Sequence, residues 1–296
     1  MPSGVVLVTG ASTGIGEATA LHLRELGFEP VAAVRRDEDA ERLGSQGLRT
    51  VKLDVTDEAQ IAAARAAVGD GPLAGLVNNA GVAVAAPLEY VPLDQLRRQL
   101  EVNLIGQVAV TQAFLPALRR AGGRIVNVSS IGGRVALPLL APYNASKFAL
   151  EAVSDSLRRE LRSQGVNVIV IEPGGVKTPI WGKGSELGNE LTAQMPPEGE
   201  RLYGRLIADV RRETVKIAQE RGLPPRAVAE VIGKALTADR PHTRYVVGND
   251  AKVRAQLARL NCSSDTASRN RLTTSRGCRA CHWDPRSKNM PGSCTA

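Results

Sequence analysis

Cysteine is missing from the first 261 residues of this chain of 296. All four cysteines lie near the C-terminus, at Cys262, Cys278, Cys281 and Cys294. No disulfide bond can therefore form within residues 1 to 261, which is typical of proteins from a reducing compartment. The sequence also lacks a run of 18 apolar residues and a basic segment ahead of its first apolar stretch. Neither a membrane-spanning helix nor a secretory signal is predicted, and we expect a cytoplasmic protein.

An excess of charge of either sign is also lacking through most of the chain. Although the net charge is +8, residues 1 to 250 hold 29 basic against 28 acidic side chains. The remaining residues hold 9 against 2, so the excess basic charge belongs to the C-terminal segment. A nucleic-acid-binding protein carries its basic charge as a patch on the folded domain. We therefore predict no nucleic-acid partner.

Short apolar runs alternate with amphipathic helical patterns along the chain, the longest of which extends from Leu93 to Arg120 and includes Asn103. The apolar runs are typical of strands buried on both faces, as in a parallel sheet. They cover residues 4–9, 30–34, 48–53, 75–77, 123–128, 166–171 and 243–248. Strands that alternate with helices imply right-handed βαβ units. We predict an α/β fold with one doubly wound parallel sheet of the Rossmann type, in a single catalytic domain spanning residues 1–255.

A glycine-rich turn links the first predicted strand to the first predicted helix. It reads Gly10-Ala11-Ser12-Thr13-Gly14-Ile15-Gly16. Such a turn lets backbone amides approach a phosphate closely, with the positive end of the helix dipole behind them. The alternative is a flexible loop that binds nothing. The strand before the turn and the helix after it favour dinucleotide binding, although the spacing departs from G-x-G-x-x-G.

The end of the second strand bears on the choice between the two nicotinamide cofactors. An acidic residue there accepts hydrogen bonds from the 2′-hydroxyl of NAD, whereas an arginine accommodates the 2′-phosphate of NADP. This chain has Val34-Arg35-Arg36. Because a guanidinium binds phosphate bidentately, we predict NADP(H) as the preferred cofactor, with Arg35 as its contact and NAD as the second choice. The alternative is a solvated arginine pair beside Asp37-Glu38-Asp39.

Tyr143 and Lys147 lie four residues apart, so in a helix they would project from one face with the ammonium within reach of the phenol. Most such pairs only decorate a solvated helix. Here, however, Ser130 follows the fifth predicted strand, at the edge where open α/β sheets place ligands. An ordinary phenol has a pKa of about 10, which a nearby cation would lower. These three residues therefore predict an acid–base site.

Residues 179 to 225 follow the sixth strand and show no firm period, although they include apolar side chains such as Ile180 and Trp181. A long segment of this kind is typical of a lid or wall over a substrate. A solvent-facing insertion is the alternative. We predict the wall, together with an apolar substrate pocket formed by Leu137, Leu139, Leu140, Ile180 and Trp181.

Jointly, these motifs resemble the short-chain dehydrogenase/reductase family, of the classical type. The resemblance covers about residues 4 to 255 and rests on Thr9-Gly10-x-x-x-Gly14-x-Gly16, Asp54, Asn78-Asn79-Ala80-Gly81, Asn103, Ser130, Tyr143-x-x-x-Lys147, and Pro173-Gly174 with Thr178. Within the family, the stretch from Ser146 to Glu151 and the lipophilic segment after Thr178 look most like the 17β-hydroxysteroid and retinol dehydrogenase branch. The resemblance implies an oxidoreductase that acts on CH–OH donors with NAD(P) as acceptor.

The resemblance also implies catalytic roles. Tyr143 would be the general acid in reduction and the general base in oxidation. Lys147 would lower the pKa of this phenol and bind the nicotinamide ribose, while Ser130 would donate a hydrogen bond to the substrate oxygen. Asn103 would hold a water that links Lys147 to solvent. The implied substrate is a hydrophobic ketone or secondary alcohol, either steroid-, retinoid- or lipid-like.

By the same resemblance, the glycine turn would cradle the pyrophosphate, Asp54 would meet the adenine, Asn79 would lie along the ribose and Thr178 would bind the carboxamide. Thr13 departs from relatives that carry a second basic residue in the turn, which puts the strength of the NADP preference in doubt. The predicted cofactor contacts are Gly10, Ser12, Thr13, Gly14, Ile15, Gly16, Arg35, Asp54, Val55, Asn79, Ala80, Gly81, Tyr143, Lys147, Pro173, Gly174, Val176 and Thr178. No metal is predicted.

Two other functions compete with this interpretation. A redox-sensing protein would bind NADP(H) without turnover, but it would need only the glycine turn and Arg35. The joint presence of Asn103, Ser130, Tyr143 and Lys147 disfavours it. An epimerase or dehydratase of the extended type is disfavoured by glycines at 10, 14 and 16 and by the lack of a large C-terminal substrate domain. By resemblance, the helices that begin near Leu93 and near Tyr143 would pair across a twofold axis in a homodimer or homotetramer.

The resemblance ends near Leu260. From the set Val, Ile, Leu, Met and Phe, residues 261 to 296 contain only Leu272 and Met290, too few to offset the entropy of ordering. We predict a basic, disordered tail over residues 256–296. Cys278-Arg279-Ala280-Cys281-His282 matches a haem-attachment motif, and with Cys262 and Cys294 the segment holds zinc-ligand residue types. The lack of an export signal disfavours haem attachment, and the irregular spacing disfavours a zinc site. An altered reading frame would also explain the composition of this segment.

Overall fold

The computed structural model describes residues 3 to 257, in which seven strands form one parallel sheet in the order β3-β2-β1-β4-β5-β6-β7. The order runs outward from β1 in one direction and then, from β4, in the other. This confirms the predicted α/β fold with a doubly wound, Rossmann-type sheet. The strands are β1 Val5–Thr9, β2 Glu29–Val34, β3 Arg49–Lys52, β4 Leu73–Asn78, β5 Arg124–Val128, β6 Asn167–Pro173 and β7 Arg244–Val247.

Helices cover both faces of the sheet. They are α1 Gly14–Glu25, α2 Asp37–Ser45, α3 Glu58–Val68, α4 Leu93–Leu100, α5 Gly106–Ala121, α6 Ala141–Glu160, α7 Pro179–Ala193, α8 Pro197–Lys216 and α9 Pro225–Thr237. Short 3-10 turns lie at Leu88–Tyr90, Ile131–Gly133 and Arg162–Gln164, and π turns at Glu101–Ile105 and Ile217–Arg221. Residues 249–257 are also helical.

The core consists of two apolar layers, one on each face of the sheet. Because side chains alternate along a strand, Val6 and Val8 of β1 pack into one layer and Leu7 into the other. The first layer includes Ile232 of α9, and the second includes Phe114 of α5. Full burial of one such side chain stabilises the fold by roughly 1.5–3 kcal/mol. The sheet therefore forms a rigid base for the loops at its edge.

The helical pattern predicted from Leu93 to Arg120 forms α4 and α5, which are joined without a break by the π turn Glu101–Ile105. A π turn inserts one residue into the helical repeat and is found mostly at functional sites. The apolar period of the sequence does not reveal this insertion. It changes the direction in which the side chains of α4 point relative to those of α5.

The segment predicted as a substrate wall is mostly helical, in α7 and α8. In α7, Gly184 and Gly188 face the backbone of residues 83–86. A Cβ atom on Gly184 would lie 3.0 Å from the carbonyl oxygen of Ala83, and one on Gly188 would overlap the carbonyl oxygen of Ala85. Helix α7 therefore packs on this loop through its glycines.

Helix α8 is held against the 3-10 turn Leu88–Tyr90 by polar and aromatic contacts. The Tyr203 hydroxyl donates a hydrogen bond of 2.8 Å to Glu89. The Tyr203 ring meets the Tyr90 ring edge to face at a centroid distance of 6.0 Å. Both helices of the 179–216 segment thus contact the loop between β4 and α4.

Within residues 3 to 257, no helix is both long enough and apolar enough to cross a bilayer. Residues 256 and 257, the first two of the predicted tail, lie in the helical stretch 249–257. The rest of that prediction, with the cysteine motifs considered for haem and zinc, lies outside the described residues.

We expect Gly188→Ala to loosen α7, because the added methyl group would overlap the Ala85 carbonyl and the helix would have to move away. Gly182→Ala in the same helix is a matched control, since a Cβ atom there meets no atom within 4 Å. An exposed Gly→Ala change stabilises a helix by about 1 kcal/mol. Hydrogen exchange of residues 179–193 should therefore accelerate only in Gly188→Ala. Equal exchange in the two variants would contradict the packing.

Candidate active site

A cavity of about 350 Å³ opens at the carboxyl ends of the parallel strands, where open α/β sheets place their ligands. Twenty of the predicted site residues line it. They are Gly10, Ser12, Thr13, Gly14, Ile15, Arg35, Asp54, Val55, Asn79, Ala80, Gly81, Ser130, Tyr143, Lys147, Pro173, Gly174, Val176, Thr178, Ile180 and Trp181. The other five, Gly16, Asn103, Leu137, Leu139 and Leu140, are not among the lining residues.

The glycine turn brings backbone amides to the wall of the cavity. Gly10 and Gly14 adopt positive φ angles of 63° and 61°, which glycine reaches without strain. Gly16 lies behind the turn, where a Cβ atom would overlap the carbonyl oxygen of Gly10, so it lets α1 pack closely on β1. Helix α1 begins at Gly14, and Thr13 at its N-cap makes no side-chain cap. Its first amides therefore remain available to a ligand.

Asn79 braces this turn from the neighbouring strand end. Its side-chain amide donates hydrogen bonds of 3.0 Å and 3.1 Å to the carbonyl oxygens of Thr9 and Gly10. In return, the Thr9 hydroxyl accepts from the backbone amides of Asn79 and Ala80. The turn after β1 and the turn after β4 are thus locked together.

The two arginines after β2 have different surroundings. Arg36 donates a hydrogen bond of 2.9 Å to Asp39 in the first turn of α2. This contact agrees with the alternative interpretation, a solvated arginine at the start of that helix. Arg35 lines the cavity instead, and its side chain is 60% exposed. Its guanidinium lies 3.9 Å from the Asp54 carboxylate, which also accepts from Thr56. Arg35 is therefore the better placed of the two to meet an anionic ligand.

Tyr143, Lys147 and Ser130 meet at the opposite end of the cavity, and all three are largely buried. Pro142 at the first turn of α6 fixes the start of the helix that carries Tyr143 and Lys147. Ser130 caps the 3-10 turn Ile131–Gly133, where its hydroxyl oxygen accepts from the Gly132 amide at 3.0 Å. This bond occupies an acceptor position of Ser130 and leaves its proton free for a partner in the cavity.

Burial dominates the titration of the tyrosine and lysine. It raises the pKa of Tyr143, and a hydrogen bond with Ser130 acts in the opposite direction. It lowers the pKa of Lys147 to about 8, against the charge of Glu151, which raises it. The sequence-based expectation that Lys147 lowers the Tyr143 pKa is therefore not met. The ammonium lies 5.8 Å from the Tyr143 ring centre and donates at 2.8 Å to the carbonyl oxygen of Val128.

Asn103 lies in the π turn and is completely buried, although an asparagine within a helical pattern commonly faces solvent. Its side-chain oxygen accepts from the Val82 amide at 2.9 Å. Its side-chain nitrogen donates to the Val82 carbonyl at 3.0 Å and to the Ser146 hydroxyl at 3.1 Å. Asn103 thus ties the loop after β4 to α6, one residue before Lys147.

Four of the five residues of the predicted apolar pocket pack around Tyr143. Ile180 and Trp181 line the cavity, and the Trp181 ring centre lies 6.2 Å from that of Tyr143. Leu137 and Leu140 belong to the same apolar cluster as Tyr143, Ile180 and Trp181, but they do not line the cavity. Leu139 has a positive φ of 62°, and its carbonyl accepts from the Ala86 amide, so its backbone fixes the loop 83–86.

Four lining residues on one face of α4 and the π turn were missed: Gln95, Arg98, Gln99 and Val102. Their spacing of three or four residues is the only signal in the sequence, and it does not distinguish a cavity from solvent. Gln99 clamps the loop after β4 by accepting from the Val84 amide at 2.9 Å. The Gln95 side-chain oxygen is buried without a hydrogen-bond partner among the described residues. The cavity therefore has polar and cationic groups that the predicted apolar pocket did not include.

The site fits a nicotinamide dinucleotide. A Cβ atom at Gly10 would overlap the backbone of Ala80, and one at Gly16 would overlap the Gly10 carbonyl oxygen, so glycine at both positions keeps the turn compact. The uncapped first amides of α1 and the cation of Arg35 suit phosphate groups. The paired hydroxyls of Ser130 and Tyr143 suit one oxygen atom of a substrate.

Comparisons with known proteins agree with this fit. Residues 4–187 match the family model for short chain dehydrogenases. A 3-amino-tetrahydro-pyrrolizinone reductase from Xenorhabdus hominickii is 39% identical over 83% of this chain and 87% of its own length. Human retinol dehydrogenase 16 is 40% identical over 84% of this chain and 81% of its own, which confirms the predicted branch.

A solved structure with the same fold contains a nicotinamide cofactor. The short chain dehydrogenase from Burkholderia cenocepacia, in complex with NADP, superimposes with a TM-score of 0.68 at 28% identity. The alignment covers 92% of this chain and 98% of that one. With a matching family model and close curated relatives, this chain belongs to the short-chain dehydrogenase/reductase family of NAD(P)-dependent oxidoreductases.

Proposed function

We propose that the protein is an NADP(H)-dependent oxidoreductase that transfers a hydride between the nicotinamide and a hydrophobic ketone or secondary alcohol. The observation that carries the proposal is the meeting of the buried Ser130 and Tyr143 hydroxyls beside Lys147, in the cavity that Arg35 also lines. A sensor of redox state would need the Arg35 end of this cavity but not the other. Steady oxidation of NADPH with any carbonyl compound therefore excludes the sensor.

When bound, NADPH supplies the hydride that reduces the carbonyl carbon. Tyr143 donates its phenolic proton to the substrate oxygen, for which its raised pKa is suited because the phenol stays protonated. Ser130 donates a hydrogen bond to the same oxygen as negative charge develops there. The ammonium of Lys147 then stabilises the phenolate that remains. Asn103 fixes the loop after β4 relative to α6, because it bonds both Val82 and Ser146.

The cofactor preference rests on Arg35. Its exposed guanidinium has one acidic neighbour among the described residues, Asp54 at 3.9 Å, so it can turn toward a 2′-phosphate. The glycine turn has Thr13 at a position where a second basic side chain would strengthen the preference for NADPH over NADH. NADPH is therefore the first choice and NADH the second.

The proposed substrate class follows from the apolar side chains that line the cavity near Tyr143. Ala83, Val84, Ile180, Trp181 and Leu187 give this end of the cavity an apolar wall. Helices α7 and α8 form the lid, because both contact the loop between β4 and α4, which contributes Ala83 and Val84. A steroid-, retinoid- or lipid-like carbonyl compound fits such a wall, while Gln95 and Arg98 offer polar contacts to its far end.

Two exposed apolar side chains support an oligomer, and the cysteine content of the chain supports a cytoplasmic location. Ile105, at the end of the π turn, and Phe148 of α6 are 51% and 43% exposed. Apolar side chains exposed on these two helical segments favour pairing with a second copy in a homodimer or homotetramer. We place the protein in the cytoplasm, in line with its cysteine-free first 261 residues.

Tyr143→Phe should abolish turnover but leave NADPH binding nearly unchanged, because it removes only the transferred proton. The rate should be measured on a panel of steroids, retinoids and simple ketones with NADPH and with NADH. Tyr245→Phe is the matched control, since Tyr245 lies on β7 and its hydroxyl contacts the His242 amide. Substantial residual turnover in Tyr143→Phe would refute the assignment.

Arg35→Gln should weaken NADPH binding roughly 10- to 100-fold, as expected for loss of a charged hydrogen bond of about 1.5–3 kcal/mol. NADH binding should not weaken, because it has no 2′-phosphate. Arg36→Gln is the control, since Arg36 is paired with Asp39. Fluorescence titration of both cofactors measures the effect, and equal losses for NADPH and NADH would show that Arg35 does not read the phosphate.

Carbonyl reduction should slow as the pH rises through about 8, because Lys147 has a pKa of about 8 and is an ammonium only below it. Tyr143, whose pKa is raised, stays protonated over this range. The alkaline limb of the pH profile of kcat measures this loss. A rate that is flat or still rising through this range would mean that the lysine charge is not needed.

A further inference from the structure

Five charged side chains pack together next to Lys147, and none of them is among the residues that line the cavity. This rear ion cluster consists of Glu151, Asp155, Glu172, Arg134 and Arg244. Arg244 donates at 3.0 Å to Glu151 and at 2.7 Å to Asp155, and it lies 3.3 Å from Glu172. Arg134 donates at 3.1 Å to the other oxygen of Glu172.

The rear ion cluster joins three segments that supply site residues. Arg134 directly follows the 3-10 turn that Ser130 caps. Glu172 is the residue before Pro173 and is completely buried. Glu151 lies one helical turn after Lys147 on α6. A change in the charge of the cluster would thus be felt at the serine turn, at the cofactor segment after β6 and at the catalytic helix.

Glu151 is the member that faces the catalytic lysine. The two residues are four apart on one helix face, and both are at least nine-tenths buried. Gly133 packs against both, since a Cβ atom there would lie 3.1 Å from the Lys147 carbonyl oxygen and 3.2 Å from Cγ of Glu151. Because both side chains are buried, little solvent screens the attraction between the carboxylate and the ammonium.

The charge of Glu151 is only partly neutralised. One carboxylate oxygen accepts from Arg244, but the other is buried and has no hydrogen-bond partner within residues 3 to 257. Its neighbours in other elements are Glu172 of β6, Arg244 of β7 and, beyond Glu172, Arg134. An unsatisfied carboxylate oxygen in a buried site leaves a strong negative potential nearby.

We propose that Glu151 is a positioning residue that keeps Lys147 in its ammonium form, and that Arg244 sets how much of the Glu151 charge reaches the lysine. The proposal rests on the proposed function, in which that ammonium stabilises the Tyr143 phenolate. The direction of the pKa effects agrees, since burial lowers the pKa of Lys147 and the charge of Glu151 raises it. Among residues 3–257, the Tyr143 phenol and the Val128 carbonyl also contact the lysine side chain, and both are neutral.

The test compares the pH profile of carbonyl reduction in Glu151→Gln with that of the wild type. The amide keeps the shape of the side chain but removes its charge, so the alkaline limb should move to lower pH by about 1 unit, the lower end of the range for one nearby opposite charge. Asp155→Asn is the matched control. Asp155 also binds Arg244, but it lies two turns from Lys147, is 42% exposed and has Arg158 as a second partner.

Arg244→Gln should move the limb in the opposite direction, because it leaves the Glu151 charge uncompensated. A purely structural role would reduce turnover in both variants without opposite shifts, and thermal melts identify any variant that does not fold. A limb in Glu151→Gln that stays in place, or moves no further than in Asp155→Asn, overturns the proposal.

A second measurement separates this proposal from the proposed function. The rate at which acetic anhydride acetylates Lys147, followed by peptide mass spectrometry across pH, reports the lysine titration without turnover. Its midpoint should fall in Glu151→Gln and rise in Arg244→Gln. If the wild type reduces no carbonyl compound but these midpoints shift, the proposed function fails while the coupling of Glu151 to Lys147 stands. Unshifted midpoints refute the coupling whatever the turnover.

Discussion

The geometry of the site depends on the burial of one ammonium group. A cation removed from water is strongly destabilising unless it is hydrogen-bonded and balanced by opposite charge. Lys147 is only 4% exposed, and its ammonium donates to the carbonyl oxygen of Val128 at the end of β5. Helix α6 must therefore lie with this residue over β5. Tyr143, one turn earlier, is then placed beside Ser130, which follows the same strand.

Most of the fold could be predicted because its signals are local. The strands are short runs of branched apolar residues, and the turn after Thr9 has its glycines where positive φ angles and close packing require them. The spacing of Tyr143 and Lys147 also follows directly from helix geometry. These features need no knowledge of contacts between distant segments, so their positions in the structure agree with the sequence analysis.

The rest could not be predicted because it depends on contacts between segments far apart in the chain. The π turn at Glu101–Ile105 leaves no mark in the apolar period, and the burial of Asn103 follows from its bonds to Val82 and Ser146. Burial likewise reverses the expected direction of the Tyr143 pKa. Helix α7 shows a weak apolar period because glycines form part of its contact surface. Nothing in the sequence distinguishes Arg98 from an arginine on the exposed face of a helix.

The close contact of α7 with the loop after β4 has an evolutionary consequence. Gly184 and Gly188 meet carbonyl oxygens of the main chain, which every residue type possesses, so this part of the contact does not depend on the side chains of the loop. Trp181 and Leu187 of the same helix line the cavity. Substitutions at these two positions can therefore change the shape offered to a substrate while the contacts of the glycines with the loop backbone are kept. A scaffold of this kind can acquire new substrates by single mutations while Ser130, Tyr143 and Lys147 stay the same.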